Sequence, residues 1–339
     1  MQVKAISLLS GGLDSTLSTL LVVRQGVAVT AVKFVTAFGC DADGEGSSCG
    51  FDATSLASRF GFALKLCPMG EEYVDMVKAP AHGRGKNMNP CIDCRIMMLD
   101  WAKDLMRETG ASFIITGEVL DQRPMSQNRP MLGEVEKESD LAGLLLRPLS
   151  AKLLPVTVPE REGWVDREKL EGISGRSRKR QLELAREFGL TTEEFGQPAG
   201  GCLLTDPGFS ARLRDLWDHD PAAGISDIHL LKVGRHFRVN GSGKIVVGRN
   251  EIENSVIEGL RRRGDVLLKP KDVPGPNVIL RTGAPDEALV AVAAALTCRY
   301  SDGKKGGTVI VFNGSDEPRE LRVPHEQVEG VLEQVTHIL

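Results

Sequence analysis

One short stretch near the N-terminus constrains the fold of this chain more than any other: the string Ser-Gly-Gly-Leu-Asp-Ser at residues 10–15. An apolar run that predicts a buried strand precedes it, and an apolar segment that predicts a helix follows it. Adjacent glycines let the backbone approach a ligand closely, and the first turn of a helix presents free N–H groups to an anion. The sequence therefore predicts a phosphate cradle formed by Ser10, Gly11, Gly12 and Ser15.

The string lacks the Gly-Lys-Ser/Thr ending of a Walker A loop and the spaced glycines of a dinucleotide fold. It resembles the PP-loop of the ATP pyrophosphatases, which adenylate a carbonyl oxygen and release pyrophosphate. The resemblance implies ATP and Mg²⁺ as cofactors. It also implies that Asp14 organises the metal ion or the pyrophosphate and takes part in catalysis.

Composition places the chain among soluble globular proteins. Its 339 residues are 41% hydrophobic and 26% charged, which is enough for two domains with cores of their own. No apolar run reaches membrane-spanning length, so we expect a cytoplasmic protein without a membrane partner. The seven cysteines are expected to be reduced thiols, some with metal or catalytic roles, and Cys40, Cys49, Cys67 and Cys298 are expected to be core or incidental residues.

Strand-like and helix-like segments alternate through the first half of the chain. This pattern predicts an α/β fold, a parallel sheet with helices on both faces that binds ligands beyond the carboxyl ends of its strands. Phe34 and Thr36 end the second predicted strand, where an adenine ring would be held. Gly117 and Gln122 lie in a polar loop after a later strand, at the same predicted edge.

Two cysteines, Cys91 and Cys94, form a C-x-x-C pair at the start of a predicted helix, where the helix dipole favours thiolates. The pair alone is compatible with a redox dithiol or with part of a structural zinc site. A third cysteine, Cys202, ends the glycine-rich stretch 197–202. Three thiolates also suit an iron–sulfur cluster with one iron left without a protein ligand.

Basic residues cluster locally although the formal net charge is −4. Such clusters can contact the phosphates of a nucleic acid even on an acidic protein, although a solvated helix face has the same composition. The first cluster is Arg176, Arg178, Lys179 and Arg180, and a second lies at residues 261–263.

The character of the sequence changes near residue 228, where short alternating segments begin with residues 229–233. We expect a first domain over residues 1–217, a linker over 218–227 and an α+β module over 228–339.

Four motifs taken together resemble the tRNA thiouridine synthetases over about residues 1–215. They are the PP-loop, Asn-Pro-Cys-x-x-Cys, Thr-Gly-Glu-x-x-Asp-Gln-x-x-x-Ser-Gln from residue 116, and Gly-Gly-Cys at 200–202. The resemblance implies adenylation of a uridine carbonyl in tRNA and displacement of AMP by sulfur. It favours carbon 4 over carbon 2.

Cluster-dependent members of that superfamily hold a 4Fe-4S cluster, and this role would fall here on Cys91, Cys94 and Cys202. Members without a cluster use a cysteine persulfide, for which Cys202 is the natural candidate. Partners would be tRNA and a sulfide or persulfide donor, and a homodimer is left open. The N-terminal RNA-binding domain typical of 4-thiouridine enzymes does not precede the PP-loop, so another element is expected to hold the RNA.

The last third of the chain resembles the RNA-binding NFACT-R domain. Gly-Arg-Asn at residues 248–250 and Lys-Asp-Val-Pro-Gly-Pro-Asn at 271–277 correspond to two of its motifs, with Asn277 replacing a histidine. Candidate RNA contacts are Arg249, Asn250, Lys269, Lys271 and Arg281, acting on phosphates rather than on bases.

Two other classes of function fit parts of this pattern. One is a PP-loop enzyme that amidates a small molecule or inserts sulfur into it. The other is a non-catalytic protein that binds zinc and RNA. Release of pyrophosphate that depends on tRNA distinguishes the thiolation hypothesis from both.

Overall fold

The computed structural model describes residues 2–39, 53–195, 202–239, 241, 243–314 and 317–339. It divides into two compact units, residues 1–205 and 206–339. None of the described helices is long and apolar enough to cross a membrane.

The first unit is an alternation of strands and helices, as the sequence predicts. Its elements are β1 (Lys4–Leu8), α1 (Leu13–Val23), β2 (Ala28–Val35), α2 (Ala53–Phe60), β3 (Ala63–Pro68), α3 (Glu71–Lys78), α4 (Cys91–Thr109), β4 (Phe113–Ile115), α5 (Arg129–Glu138), β5 (Leu145–Leu146), α6 (Val158–Arg161) and α7 (Lys179–Glu187).

The five strands form one parallel sheet in the order β3-β2-β1-β4-β5. Neighbouring residues of β1 point to opposite faces, so that Ala5 packs with α1, α2 and α7 while Ile6 packs with α4 and α5. The predicted α/β fold with helices on both faces is confirmed. Strand order reverses between β1 and β4, and in such sheets the ligand lies beyond the carboxyl ends of the strands at this point.

The second unit is built on an antiparallel sheet. Its elements are α8 (Pro207–His219), α9 (Ile225–Leu230), β6 (Arg235–Val239), β7 (Gly243–Val247), α10 (Glu251–Gly259), β8 (Val266–Pro270), β9 (Val278–Arg281), α11 (Glu287–Arg299), β10 (Gly307–Asn313), β11 (Arg319–Val323), α12 (His325–Gly330) and β12 (Thr336–Ile338). The strand order is β11-β10-β8-β9-β7-β6-β12. One face packs on α11 and α12, and residues of α9 and α10 pack on the other.

The boundary between the units lies at Thr205 rather than at Trp217. Helix α8 belongs to the second unit because its Asp215 accepts hydrogen bonds from Arg238 (2.6 Å) and Lys244 (2.8 Å) of that unit. The stretch 218–227, expected to be a linker, is part of the same unit, since Asp227 is buried and pairs with Arg281 at 2.9 Å. Residues 225–230 are the helix α9, so the first of the alternating segments, over residues 229–233, does not form a strand.

Candidate functional site

The PP-loop joins β1 to α1 and has the geometry of an anion cradle. Gly11 adopts φ 85°, a left-handed conformation that favours glycine. Ser10 N donates to Ser15 Oγ at 3.2 Å, and Ser15 Oγ donates to the Gly12 carbonyl at 2.9 Å. Gly12 caps α1 without a side-chain hydrogen bond, so the first N–H groups of the helix have no side-chain cap.

Gly117 lies against this loop so closely that no other residue fits. A Cβ atom at this position would lie 2.5 Å from both Cα and N of Ser15. The loop after β4 is therefore seated on the start of α1, at the reversal of strand order. The structure brings the predicted residues Gly117, Asp14 and Ser15 together.

Asp14 is mostly buried at the first turn of α1. Burial raises the pKa of its carboxyl group, while the nearby side chains of Gln122, Arg178 and Arg123 act in the opposite direction. Among the described residues, none hydrogen-bonds to Asp14 Oδ1, which is buried. A buried carboxylate oxygen without a partner beside a phosphate cradle fits a Mg²⁺ ion carried by ATP.

Gln181 also lowers the pKa of the Asp14 carboxyl group, and it was not identified from the sequence as a site residue. It is completely buried on α7, and both of its amide atoms lack a hydrogen-bond partner among the described residues. Its spacing from Leu184 and Ala185 puts it on the apolar face of α7. A polar residue on such a face is the sequence signal that could have identified it.

Glu118, next to Gly117, ties the site to two other elements. Its carboxylate lies 3.1 Å from Arg147 Nε and 3.3 Å from Arg95 Nε, and Arg147 also pairs with Glu136 at 2.9 Å. Burial raises the pKa of Glu118, but the two arginines outweigh it and hold that pKa below its ordinary value. Because Arg95 follows Cys94 directly, this ion pair joins the start of α4 to the loop that contacts the PP-loop.

Cys94 contacts Tyr73, a residue of α3 that no sequence motif indicated. Tyr73 Oη lies 3.0 Å from Cys94 Sγ. Burial, then the nearby Cys94, Cys202 and Cys91, raise the pKa of Tyr73. Burial also raises the pKa of Cys202 to about 12 and that of Cys94 above its usual range.

Thiols are suitable donors for iron, because a bound cation lowers the pKa of its thiol ligands. Within the described parts of the chain, however, no three or more His, Cys, Asp or Glu side chains stand close enough to hold a metal ion. The stretch 197–201 before Cys202 lies outside the described residues. The donor set thus fits a cluster in its chemistry, without ligand geometry in this structure.

The turn before α4 is fixed by His82. Its Nδ1 lies 3.1 Å from Asp93 Oδ1 and its Nε2 lies 2.9 Å from Glu138 Oε1, and hydrogen bonds to these two carboxylates raise the pKa of His82. Asp93 also accepts from Ala81 N at 2.9 Å. The loop over residues 79–90 is therefore bound to the first turn that carries Cys91 and Cys94.

The four remaining cysteines lie either in the core or outside the described residues. Cys67 and Cys298 are buried, as expected for core residues, and Cys40 and Cys49 lie outside the described residues.

At the predicted adenine site, Phe34 packs edge-to-face on Trp101, with 6.0 Å between ring centroids. Thr36 Oγ1 accepts from Phe38 N at 3.2 Å and so shapes the turn after β2.

The basic cluster at the start of α7 does not form one exposed surface. Arg176 and Lys179 are exposed, and Arg178 is half-buried beside Asp14. Arg180 is bound within the unit, by Glu171 at 2.8 Å and by Glu187 at 2.8 Å. Of the four, Arg176 and Lys179 remain as candidates for contact with RNA.

The motif residues of the second unit have partners within that unit. Arg249 pairs with Glu253, and Asn250 caps α10 by accepting from Glu253 N at 2.9 Å. Lys271 pairs with Glu320 at 2.6 Å. The other two candidates are likewise paired: Lys269 with Glu258 at 2.8 Å, and Arg281 with Asp265 at 2.7 Å.

The first unit thus defines a class, the α/β proteins that bind ATP on a PP-loop. Residues 1–152 match the family model described as thiamine biosynthesis protein (ThiI), and residues 234–329 match that of the NFACT protein RNA binding domain. The matches confirm the resemblance of the first unit to a PP-loop family and of the second to an NFACT-R domain, which the motifs predicted.

The tRNA-specific 2-thiouridylase MnmA of Pelotomaculum thermopropionicum is 24% identical over 309 residues, which cover 84% of this chain and 75% of that protein. The Rqc2 homolog RqcH of Bacillus subtilis is 34% identical over 68 residues, 20% of this chain and 12% of that protein. The crystal structure of a 4-thiouridine synthetase–RNA complex with bound ATP has a TM-score of 0.43 and 22% identity, and covers 60% of this chain and 45% of that chain.

Proposed function

We propose that this protein is an ATP-dependent tRNA sulfurtransferase, which replaces the oxygen of a uridine carbonyl with sulfur. The observation that carries the proposal is the series of contacts between the PP-loop and the C-x-x-C pair. Gly117 rests on Ser15, and its neighbour Glu118 pairs with Arg95 at 3.3 Å. Because Arg95 directly follows Cys94, the phosphate cradle and the cysteine pair are joined within one unit.

In the first step, the uridine oxygen attacks the α-phosphorus of ATP, and the bond to pyrophosphate breaks. The ring nitrogen beside the carbonyl loses its proton as the new O–P bond forms. The N–H groups of the PP-loop bind the phosphates, and Asp14 provides an oxygen ligand for Mg²⁺. Adenylation turns a poor oxygen leaving group into a good one.

In the second step, sulfur attacks the activated ring carbon and AMP departs with the former carbonyl oxygen. The proton that enters with the sulfur returns to the ring nitrogen. When bound to Cys91, Cys94 and Cys202, a 4Fe-4S cluster would supply an iron open to hydrosulfide. Without a cluster, Cys202 would carry the sulfur as a persulfide received from a persulfide donor. After its terminal sulfur attacked the ring carbon, a second, external thiol would have to attack Cys202 Sγ, which releases the thiolated base and leaves Cys202 in a disulfide.

We infer that the sulfur goes to carbon 4, because the Gly-Glu and Ser-Gln pattern at residues 117–127 is similar to that of the 4-thiouridine enzymes. The relative from Pelotomaculum is named a 2-thiouridylase, so the position on the ring is a separate test. Binding of tRNA is supported by the match of the second unit to an RNA-binding domain and by the exposed Arg176 and Lys179.

Pyrophosphate release by the full chain tests the adenylation step. We expect release from ATP that requires unmodified tRNA and is lost in Asp14→Asn. Release that needs a small molecule instead of tRNA would indicate the amidating or sulfur-inserting class, and no release under any condition would indicate a binding protein.

Iron and acid-labile sulfide, measured after anaerobic purification, test the cluster. We expect about four of each per chain, lost in Cys91→Ala, Cys94→Ala and Cys202→Ala. Cys298→Ala removes a buried thiol from the other unit and is expected to leave both values unchanged. Absence of iron in wild-type protein, with thiolation intact, would replace the cluster by persulfide chemistry at Cys202.

A further inference from the structure

The start of α7 is held against the nucleotide site by backbone contacts. Leu120 and Ser174 form a parallel β-bridge, and Gly175 N donates to the Leu120 carbonyl at 2.8 Å. Leu120 belongs to the loop that begins at Gly117, which itself rests on Ser15. The chain around Arg178 is thereby fixed beside the PP-loop.

Two arginines in this region have no carboxylate partner among the described residues. In the described part of the chain, neither Arg178 nor Arg123 forms an ion pair, and so neither is within 4.0 Å of a carboxylate oxygen of Asp14. Arg180, two residues from Arg178, is bound by three glutamates. Unpaired guanidinium groups beside a phosphate cradle provide charge and a planar donor fork for phosphate oxygens.

Gln181 lies one helical turn after Arg178 and is closed off from solvent. Its unsatisfied amide would be costly to bury unless it gains a hydrogen bond when the site is filled. The neighbouring Asp14 Oδ1 is likewise buried and lacks a partner. An amide in this position can orient the carboxylate, although it is too buried to touch a nucleotide itself.

We propose that Arg178 binds the triphosphate of ATP, and that Gln181 is a positioning residue which orients Asp14 toward Mg²⁺. The inference rests on the proposed function and deepens it. Arg178, which the sequence indicated as a candidate RNA contact, is thereby assigned to the nucleotide site.

Binding of a fluorescent ATP analogue with Mg²⁺ tests the role of Arg178, with Arg176→Ala and Lys179→Ala as matched controls. We expect Arg178→Ala to weaken ATP binding about tenfold or more, since charge-assisted bonds are lost, and AMP binding far less. Arg178→Lys keeps the charge and should restore part of the affinity. The two control variants should bind ATP normally and tRNA more weakly.

Unchanged ATP affinity in Arg178→Ala, together with weakened tRNA binding, would overturn the inference while leaving the proposed function in place. Failure of the wild-type protein to bind ATP would overturn the proposed function itself. For Gln181→Leu, we expect that several-fold more Mg²⁺ is needed for half-maximal ATP binding. A lowered Tm with an unchanged Mg²⁺ requirement would show a purely structural role and contradict the assignment.

Discussion

The two units differ in whether the polar residues of their predicted sites have partners within the structure. In the first unit, the described structure holds no ion pair between Asp14 and Arg178, and Asp14 Oδ1 is buried without a partner. In the second unit, Arg249 and Lys271 are neutralised by Glu253 and Glu320. Unsatisfied polar groups indicate where a ligand belongs, whereas satisfied ones indicate what stabilises the fold.

Substitution of Glu118 is expected to have the largest effect. Glu118 belongs to a motif of the first unit but, like the motif residues of the second unit, it is paired within the structure. We expect Glu118→Gln to lower the free energy of unfolding by about 3–5 kcal/mol, since Arg95 and Arg147 lose a buried partner. Urea unfolding measures the loss, with the exposed Glu108→Gln as control.

The sign of the pH dependence at Glu118 follows from its lowered pKa. The stabilisation is present at neutral pH, above the pKa of the unfolded state, and disappears as the pH falls through the lower folded-state pKa. Equal stability of wild type and Glu118→Gln at pH 7 would show that the buried ion pair does not stabilise the first unit.

Lys244 gives the second unit a pH dependence of its own. Burial lowers its pKa from 10.5 to about 8, despite the hydrogen bond to Asp215. Between these values the unfolded state binds more protons, so stability rises with pH, by up to about 3 kcal/mol. Urea unfolding across this range should show the rise in wild type and a flatter curve in Lys244→Met; parallel curves would contradict the assignment.

Gly117→Ala tests the tight backbone contact between Gly117 and Ser15, and Gly133→Ala in a helix serves as its control. The added Cβ would meet Ser15 at 2.5 Å, and we expect a loss of about 1–3 kcal/mol together with loss of ATP binding. Gly133→Ala in α5 has open space around it and should be neutral or stabilising. Normal ATP affinity in Gly117→Ala would mean that the PP-loop can shift without cost.

Asn250 provides the smallest effect and the most direct test of the second unit. Asn250→Ala removes a helix cap and should cost about 1 kcal/mol, measured by urea unfolding, with little change in tRNA affinity. A strong loss of tRNA binding without destabilisation would reverse the comparison, because Asn250 would then be an RNA contact.

Much of this architecture could be predicted from the sequence, because the phosphate loop and the strand–helix rhythm are local patterns. The carboxyl ends of β1 and β4 bring residues 10–15 and Gly117 together by topology alone. The domain boundary could not be predicted, since α8 is an amphipathic helix whose choice of unit depends on Arg238 and Lys244 as distant partners of Asp215.

Individual roles were harder to predict than their neighbourhood. The cluster at residues 176–180 has one composition but three environments: Arg180 among glutamates, Arg178 beside Asp14, and Arg176 in solvent. Tyr73 carries no motif and becomes part of the thiol site only through packing. Gln181 was within reach of the sequence, since its helical period already placed it on a buried face.

The most direct test of the central claim is mass spectrometry of nucleosides from unmodified tRNA that has been incubated with the protein, ATP, Mg²⁺ and sulfide under anaerobic conditions. The account predicts 4-thiouridine in an amount that depends on ATP and is absent with Asp14→Asn and Cys202→Ala. No thiolated nucleoside from a protein that binds both ATP and tRNA would contradict it.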